Sequence, residues 1–113
     1  MNRRECLQKA EKCVCGQRDI DHGKPEDTFG MIGRFWSDYL GVPVTAHDVT
    51  IMMVLFKAAR IRVGSYVEDN YIDMAGYAAC AGEAKGKEVA NELNIKVYAE
   101  DSKYGTIYGS PAK

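Results

Sequence analysis

Apolar side chains recur every third or fourth residue along most of this chain, and glycine, proline or a capping residue bounds each such stretch. That period matches the 3.6-residue turn of an α-helix and constrains the fold more than any other feature. From Arg3 to Gln17, one stripe carries Cys6, Leu7, Ala10, Cys13 and Val14. The opposite face carries Arg4, Glu5, Gln8, Glu11 and Lys12, so the segment reads as an amphipathic helix. The polar run from Arg18 to Lys24 ends it, and Pro25 opens a second helix with Glu26 and Asp27 in the first turn. This helix carries Phe29, Ile32, Trp36, Tyr39 and Leu40 and stops at Gly41 and Pro43.

Thr45 followed by Asp48 forms a capping-box pattern that starts a third helix. Val49, Met52, Met53, Phe56 and Val63 supply its expected apolar stripe, and Gly64-Ser65 breaks it. A fourth helix is expected from about Glu68 through Ala84, with Ile72, Ala75, Gly76, Ala79 and Gly82 on a small-residue face. Such a face allows close helix approach, although each interior glycine costs ~1 kcal/mol. Continuation past Gly86 to Asn94 is left open by the sequence. Ile95 to Tyr98 and Thr106 to Tyr108 read as short extended pieces or an ordered arm. The expectation is an all-α four-helix bundle over 1–94, with a short irregular or extended tail over 95–113.

One hundred and thirteen residues allow a single domain with one modest core. Fifteen basic against sixteen acidic side chains leave a net charge of -1, which argues against a binder of duplex nucleic acid. No apolar run approaches the roughly 18 residues of a membrane span, and the charged start leads to no apolar signal core. The expected location is the cytoplasm, where Cys6, Cys13, Cys15 and Cys80 remain thiols. Cys13-x-Cys15 lacks the spacer and second ligand pair of a structural zinc site, even with His22 or His47 added. The cysteines therefore read first as small core hydrophobes.

Three polar clusters mark where chemistry could sit. Arg18, His22 and Lys24 share the loop before the second helix, next to Glu26 and Asp27. Lys57 and Arg60 lie three residues apart on one face of the third helix. Asp69, Asp73 and Tyr77 follow one another at four-residue spacing on the fourth. Lys57, Arg60 and Asp73 could simply bridge two helices. Alternatively, Lys57 and Arg60 present donors to a phosphate while Asp73 orients Arg60 or holds a metal. Trp36, Tyr39 and Tyr77 read chiefly as core, and one of them could stack on a base. No P-loop, Rossmann fingerprint or nucleophile elbow occurs.

The ordered set Arg18-Asp-Ile-Asp-His-Gly-Lys-Pro-Glu-Asp-Thr-Phe29, Phe35-Trp36, Lys57-x-x-Arg60 and Asp73-Met-Ala-Gly-Tyr77 resembles a family of small phage-encoded proteins of unassigned function. That family in turn looks like the nucleotide-modification-associated domains and, more remotely, the all-α MazG-like nucleoside triphosphate pyrophosphohydrolases. The similarity covers about residues 5 to 85. It implies a bundle in a homo-oligomer with a small nucleotide between helices. The small-residue face and Tyr98, Tyr104 and Tyr108 would suit the subunit interface. The hydrolase relatives imply four carboxylates holding Mg²⁺ ions that activate water. This chain carries Lys57-x-x-Arg60 and Asn70-x-x-Asp73 at the corresponding places, so Asp73 alone matches.

Cations in place of metal ligands favour binding without turnover. The first expectation is a phage protein of the host cytoplasm with anti-defence use. It would sequester a phosphate-bearing nucleotide, such as a cyclic or ADP-ribose-type immune signal, through Arg18, His22, Lys24, Trp36, Lys57, Arg60, Asp73 and Tyr77, with no cofactor. The alternative is a Mg²⁺-dependent dNTP pyrophosphohydrolase using Asp69, Asp73 and Glu26 as metal ligands. A third reading is a structural or partner-binding phage protein, with Lys57, Arg60 and Asp73 as internal bridges.

Overall fold

A computed structural model describes residues 1–16 and 23–104, with side chains as far as Leu93. Four α-helices account for nearly all of the described chain: α1 (Arg3–Val14), α2 (Pro25–Leu40), α3 (Ala46–Val63) and α4 (Glu68–Tyr104). Among the described residues there is no strand. The all-α expectation therefore holds, for the described residues, in helix number and order. Both α1 and α3 pack along α4, while α2 packs on α3 and reaches α4 more lightly.

Local chemistry sets most of the helix ends. Asn2 caps α1 by accepting the Glu5 N–H at 2.8 Å. This helix ends at Val14 rather than Gln17, because Cys15 is already extended and Gly16 takes a left-handed φ of 75°. Pro25 sits in the first turn of α2, and Gly41 closes that helix in the left-handed conformation with its N–H on the Ser37 carbonyl at 2.8 Å. The capping box at α3 is complete: Asp48 N–H donates to Thr45 Oγ1 at 3.1 Å, and Thr45 N–H donates to Asp48 Oδ2 at 3.0 Å.

The short α2–α3 connection is fixed by one hydroxyl. Ser37 Oγ donates to the Gly33 carbonyl at 2.6 Å and accepts the Val44 N–H at 2.8 Å. Gly33 is buried there, and a Cβ on it would stand 2.7 Å from the Val44 carbonyl oxygen. The α1–α4 contact is similarly close, with a Cβ on Gly76 reaching within 3.0 Å of Val14 Cγ1.

Three expectations need correction. The extended reading of Ile95 to Tyr98 is replaced by helix, since α4 runs for 37 residues through Gly86 and on to Tyr104. It contains no proline, and Ala, Glu and Lys dilute the cost of Gly82 and Gly86. Thr106 to Tyr108 lie outside the described residues. On α2, Phe29, Ile32 and Trp36 turn partly inward, but Tyr39 and Leu40 are exposed. On α3, Val49 is buried and Met53 half-buried, whereas Met52, Phe56 and Val63 face outward. The reason is rotational: Thr50, Val54, Lys57 and Ile61 form the face that α3 turns toward α4, and the other side follows.

The buried apolar residues among those described are few: Ala10, Val49, Ile72 and Ala81. Val49 and Ile72 each contribute about 1.5–3 kcal/mol of burial. Thr50 is fully buried among them, with its hydroxyl donating to the His47 carbonyl at 2.8 Å.

Candidate functional site

Lys57 is the one charged side chain that is buried among the described residues, at 8% exposure. Its ammonium meets Asp73 Oδ2 of α4 at 2.9 Å. The Asp73 carboxylate is about one-third exposed, so it joins the buried cation to a surface that solvent reaches. That surface is a cavity of about 280 Å³ where all four helices meet. Asp73 and Tyr77 line it from α4, Met53 from α3, and Thr28, Phe29 and Ile32 from α2. Cys13 and Val14 close it from α1, and Gly23 and Pro25 border it at the start of α2. The Phe29 and Tyr77 rings meet edge to face with centroids 5.9 Å apart, which fixes one wall.

The fold thus brings Lys57, Asp73 and Tyr77 to one place, as their helical spacing allows. Arg60 belongs neither to that cavity nor to the ion pair, although the Lys57 ammonium lies 5.5 Å from the centroid of Phe56, the ring that Arg60 covers. The Arg60 guanidinium lies 4.6 Å from the Phe56 ring centroid and lines a shallow depression on the outward side of α3. Lys57 and Arg60 are three residues apart, but α3 turns the first toward α4 and leaves the second exposed. Trp36 is half-buried on α2 and does not border this cavity. Lys24 is exposed, one residue from Gly23 of the lining. Arg18 and His22 lie outside the described residues.

The carboxylates expected to serve a metal are dispersed. Glu26 accepts from Lys87 Nζ at 2.9 Å, and the hydrogen bond from Lys87 holds its carboxyl below the usual range. It borders a second cavity of about 260 Å³, with Cys80 and Lys87 on the α4 side. Asp69 is exposed near the start of α4 and borders neither cavity. Among the described residues, no three His, Cys, Asp or Glu side chains gather closely enough to hold a metal ion.

Sequence reasoning missed Thr28, Phe29, Ile32 and Met53 as cavity residues. Phe29 and Ile32 were legible as an inward stripe, and nothing in the sequence marked Thr28. The lining is an apolar, aromatic slot with one carboxylate and two hydroxyls, a combination that would suit a flat, partly apolar group carrying hydrogen-bond donors.

The chain is similar to two proteins of bacterial viruses. The Gene 55 protein of Mycobacterium phage D29 is 34% identical over 86 residues, which are 76% of this chain and 57% of that protein. The Gene 55 protein of Mycobacterium phage L5 is 40% identical over 73 residues, 64% of this chain and 47% of that protein. The chain spans about half the length of these curated relatives. No solved structure matches it. No described helix is long and apolar enough to cross a membrane. A family model described as "Domain of unknown function (DUF6378)" matches residues 5–85, and the chain belongs to that phage-encoded family.

Proposed function

We propose that this protein binds a small nucleotide and holds it without hydrolysing it, in the cytoplasm of a phage-infected cell. The observation that carries the reading is the cavity at Asp73. Its volume of about 280 Å³ suits a nucleobase or nucleoside. Asp73 is held in place by the buried Lys57 and offers a carboxylate acceptor to base N–H or ribose hydroxyl groups. Tyr77 and Phe29 give the apolar walls against which a flat ring packs. In this reading the base or sugar enters the cavity, and the phosphate remains at the mouth near Lys24. That revises the expected placement of phosphate on Lys57 and Arg60. Binding without turnover is favoured because α3 carries Lys57 and Arg60, and α4 carries Asn70, where the hydrolase pattern needs carboxylates.

The test mixes the protein with nucleoside triphosphates, cyclic dinucleotides and cyclic ADP-ribose isomers, with and without Mg²⁺, and assays free ligand by chromatography. The protein is then heat-denatured and the supernatant assayed again. Sequestration predicts depletion that needs no metal, followed by return of intact ligand. It also predicts a rise in melting temperature that grows with ligand concentration, reflecting about 2.7 kcal/mol of added stability at a hundredfold excess over Kd. Monophosphate and pyrophosphate appearing only with metal would replace this reading by the pyrophosphohydrolase one. Depletion by no ligand would leave the structural reading, which the enclosure of Lys57 against Asp73 favours independently.

A further inference from the structure

Helix α3 is apolar on two sides: Val49, Val54 and Ile61 turn toward the bundle, and a second apolar stripe faces outward. The face it turns toward α4 includes Thr50, fully buried, and Lys57. The side it turns to solvent carries Met52, Leu55, Phe56, Ala59 and Val63, with Leu55 at 62% and Val63 at 87% exposure. At 3.6 residues per turn these five positions share roughly 100° of the helix circumference. That is a continuous stripe, about the width of a buried helix face. Exposed apolar patches of this kind mark interaction surfaces.

We infer that this stripe is the seat of a twofold dimer, in which α3 of a second copy of the same chain packs against it antiparallel. Self-complementarity points to a second copy rather than to an unrelated partner. An antiparallel pair centred between Leu55 and Phe56 sets Leu55 of one copy against Phe56 of the other. It sets Met52, a long flexible side chain, against Ala59. Ala59 is the small side chain in a shallow depression of about 370 Å³ that Phe56, Arg60 and Val63 also line, so the stripe contains both a knob and a recess edged by one cation.

Charge agrees with the same register. Asp48 lies on the stripe at the N-terminal end, and Arg62 flanks it at the C-terminal end. Antiparallel pairing brings Asp48 of each copy to the Arg62 end of the other and opposes the two helix dipoles. A parallel pairing would instead place like charges together. The inferred seat differs from the α4 small-residue face and the tail tyrosines that the sequence suggested.

The experiment uses the full chain. Sedimentation equilibrium over a wide concentration range is expected to give the mass of two chains, and Leu55→Glu is expected to weaken the association about 30-fold or more. Far-UV circular dichroism of the variant, recorded alongside, shows whether it remains helical. A second measurement fixes the register and does not depend on that variant. Met52→Cys and Ala59→Cys chains are mixed and mildly oxidised, with the parent chain and each variant alone as controls for the native thiols. Covalent heterodimer forming faster in the mixture than in any control is the expected result. A monomer at every concentration overturns the inference. So does a dimer that a folded Leu55→Glu chain retains unweakened, or cross-linking no faster in the mixture than alone.

Discussion

Lys57 and Asp73 face each other between α3 and α4, with Nζ and Oδ2 2.9 Å apart and the lysine almost wholly enclosed. The two partners differ in burial, so their removal has unequal consequences. Asp73→Ala strands a buried ammonium, whereas Lys57→Met removes the charge and retains most of the volume. We expect Asp73→Ala to lower stability by about 2–4 kcal/mol and Lys57→Met by less than about half of that. Urea denaturation of the two single variants and the double variant measures both costs and their coupling. Equal losses from the two single variants would contradict the asymmetry.

Gly33 and Gly30 give opposite signs for the same change. A Cβ at Gly33 would meet the backbone oxygen of Val44 at 2.7 Å, while one at Gly30 meets nothing within 4 Å. Gly33→Ala must push α2 away from the start of α3 and is expected to cost about 1–3 kcal/mol. Gly30→Ala only raises helix propensity and is expected to stabilise by up to ~1 kcal/mol. Thermal melts of both variants check the pair, and a stabilised Gly33→Ala would show that the α2–α3 junction is looser than described.

Thr45 holds the first turn of α3 through the reciprocal bonds with Asp48. Thr45→Ala is expected to cost ~1 kcal/mol, and Thr45→Asn much less, because asparagine also caps well. The Asp48 carboxyl is held below its usual range, first by the Thr45 backbone N–H and also by the Thr45 side chain. A lowered carboxylate stabilises the fold above its unfolded-state pKa, and the contribution fades as pH falls through the lowered folded value. Comparing melting temperatures between about pH 3 and pH 6 should show Asp48→Asn losing less on acidification than the parent chain.

Glu26 and Lys87 tie the first turn of α2 to the far half of α4 at 2.9 Å. The hydrogen bond lowers the Glu26 pKa and raises that of Lys87. Their signs define a window. The glutamate contribution is lost as pH falls through its lowered folded value, and the lysine contribution as pH rises through its raised one. Both groups are solvent-accessible, so salt should screen the pair. Glu26→Gln is expected to reduce the acid sensitivity of the melt and its dependence on sodium chloride. An unchanged salt dependence would show that the contact contributes nothing measurable.

The helix order and most helix ends were legible because their causes are local. Pro25, Gly41 and the Thr45–Asp48 box act through bonds within a few residues, and each does in the fold what its sequence context indicates. The 37-residue length of α4 was not legible, because Gly86 left the continuation open and only the chain beyond it could carry the helix forward. The pairing of Lys57 with Asp73 was half legible: spacing placed each on a helix face, but not which faces meet. Helix α3 shows why. It is apolar on both sides, so periodicity alone chose Met52, Phe56 and Val63 for the core, and the packing against α4 turned them outward. Sequence by itself thus determined the number and order of the described helices, and most of their ends, through short-range hydrogen bonding and backbone preference. Tertiary structure decided the rotation of each helix about its axis, because that depends on the shape of neighbours distant in sequence. With that rotation it decided where Lys57 points, where Arg60 points and which cavity Asp73 borders.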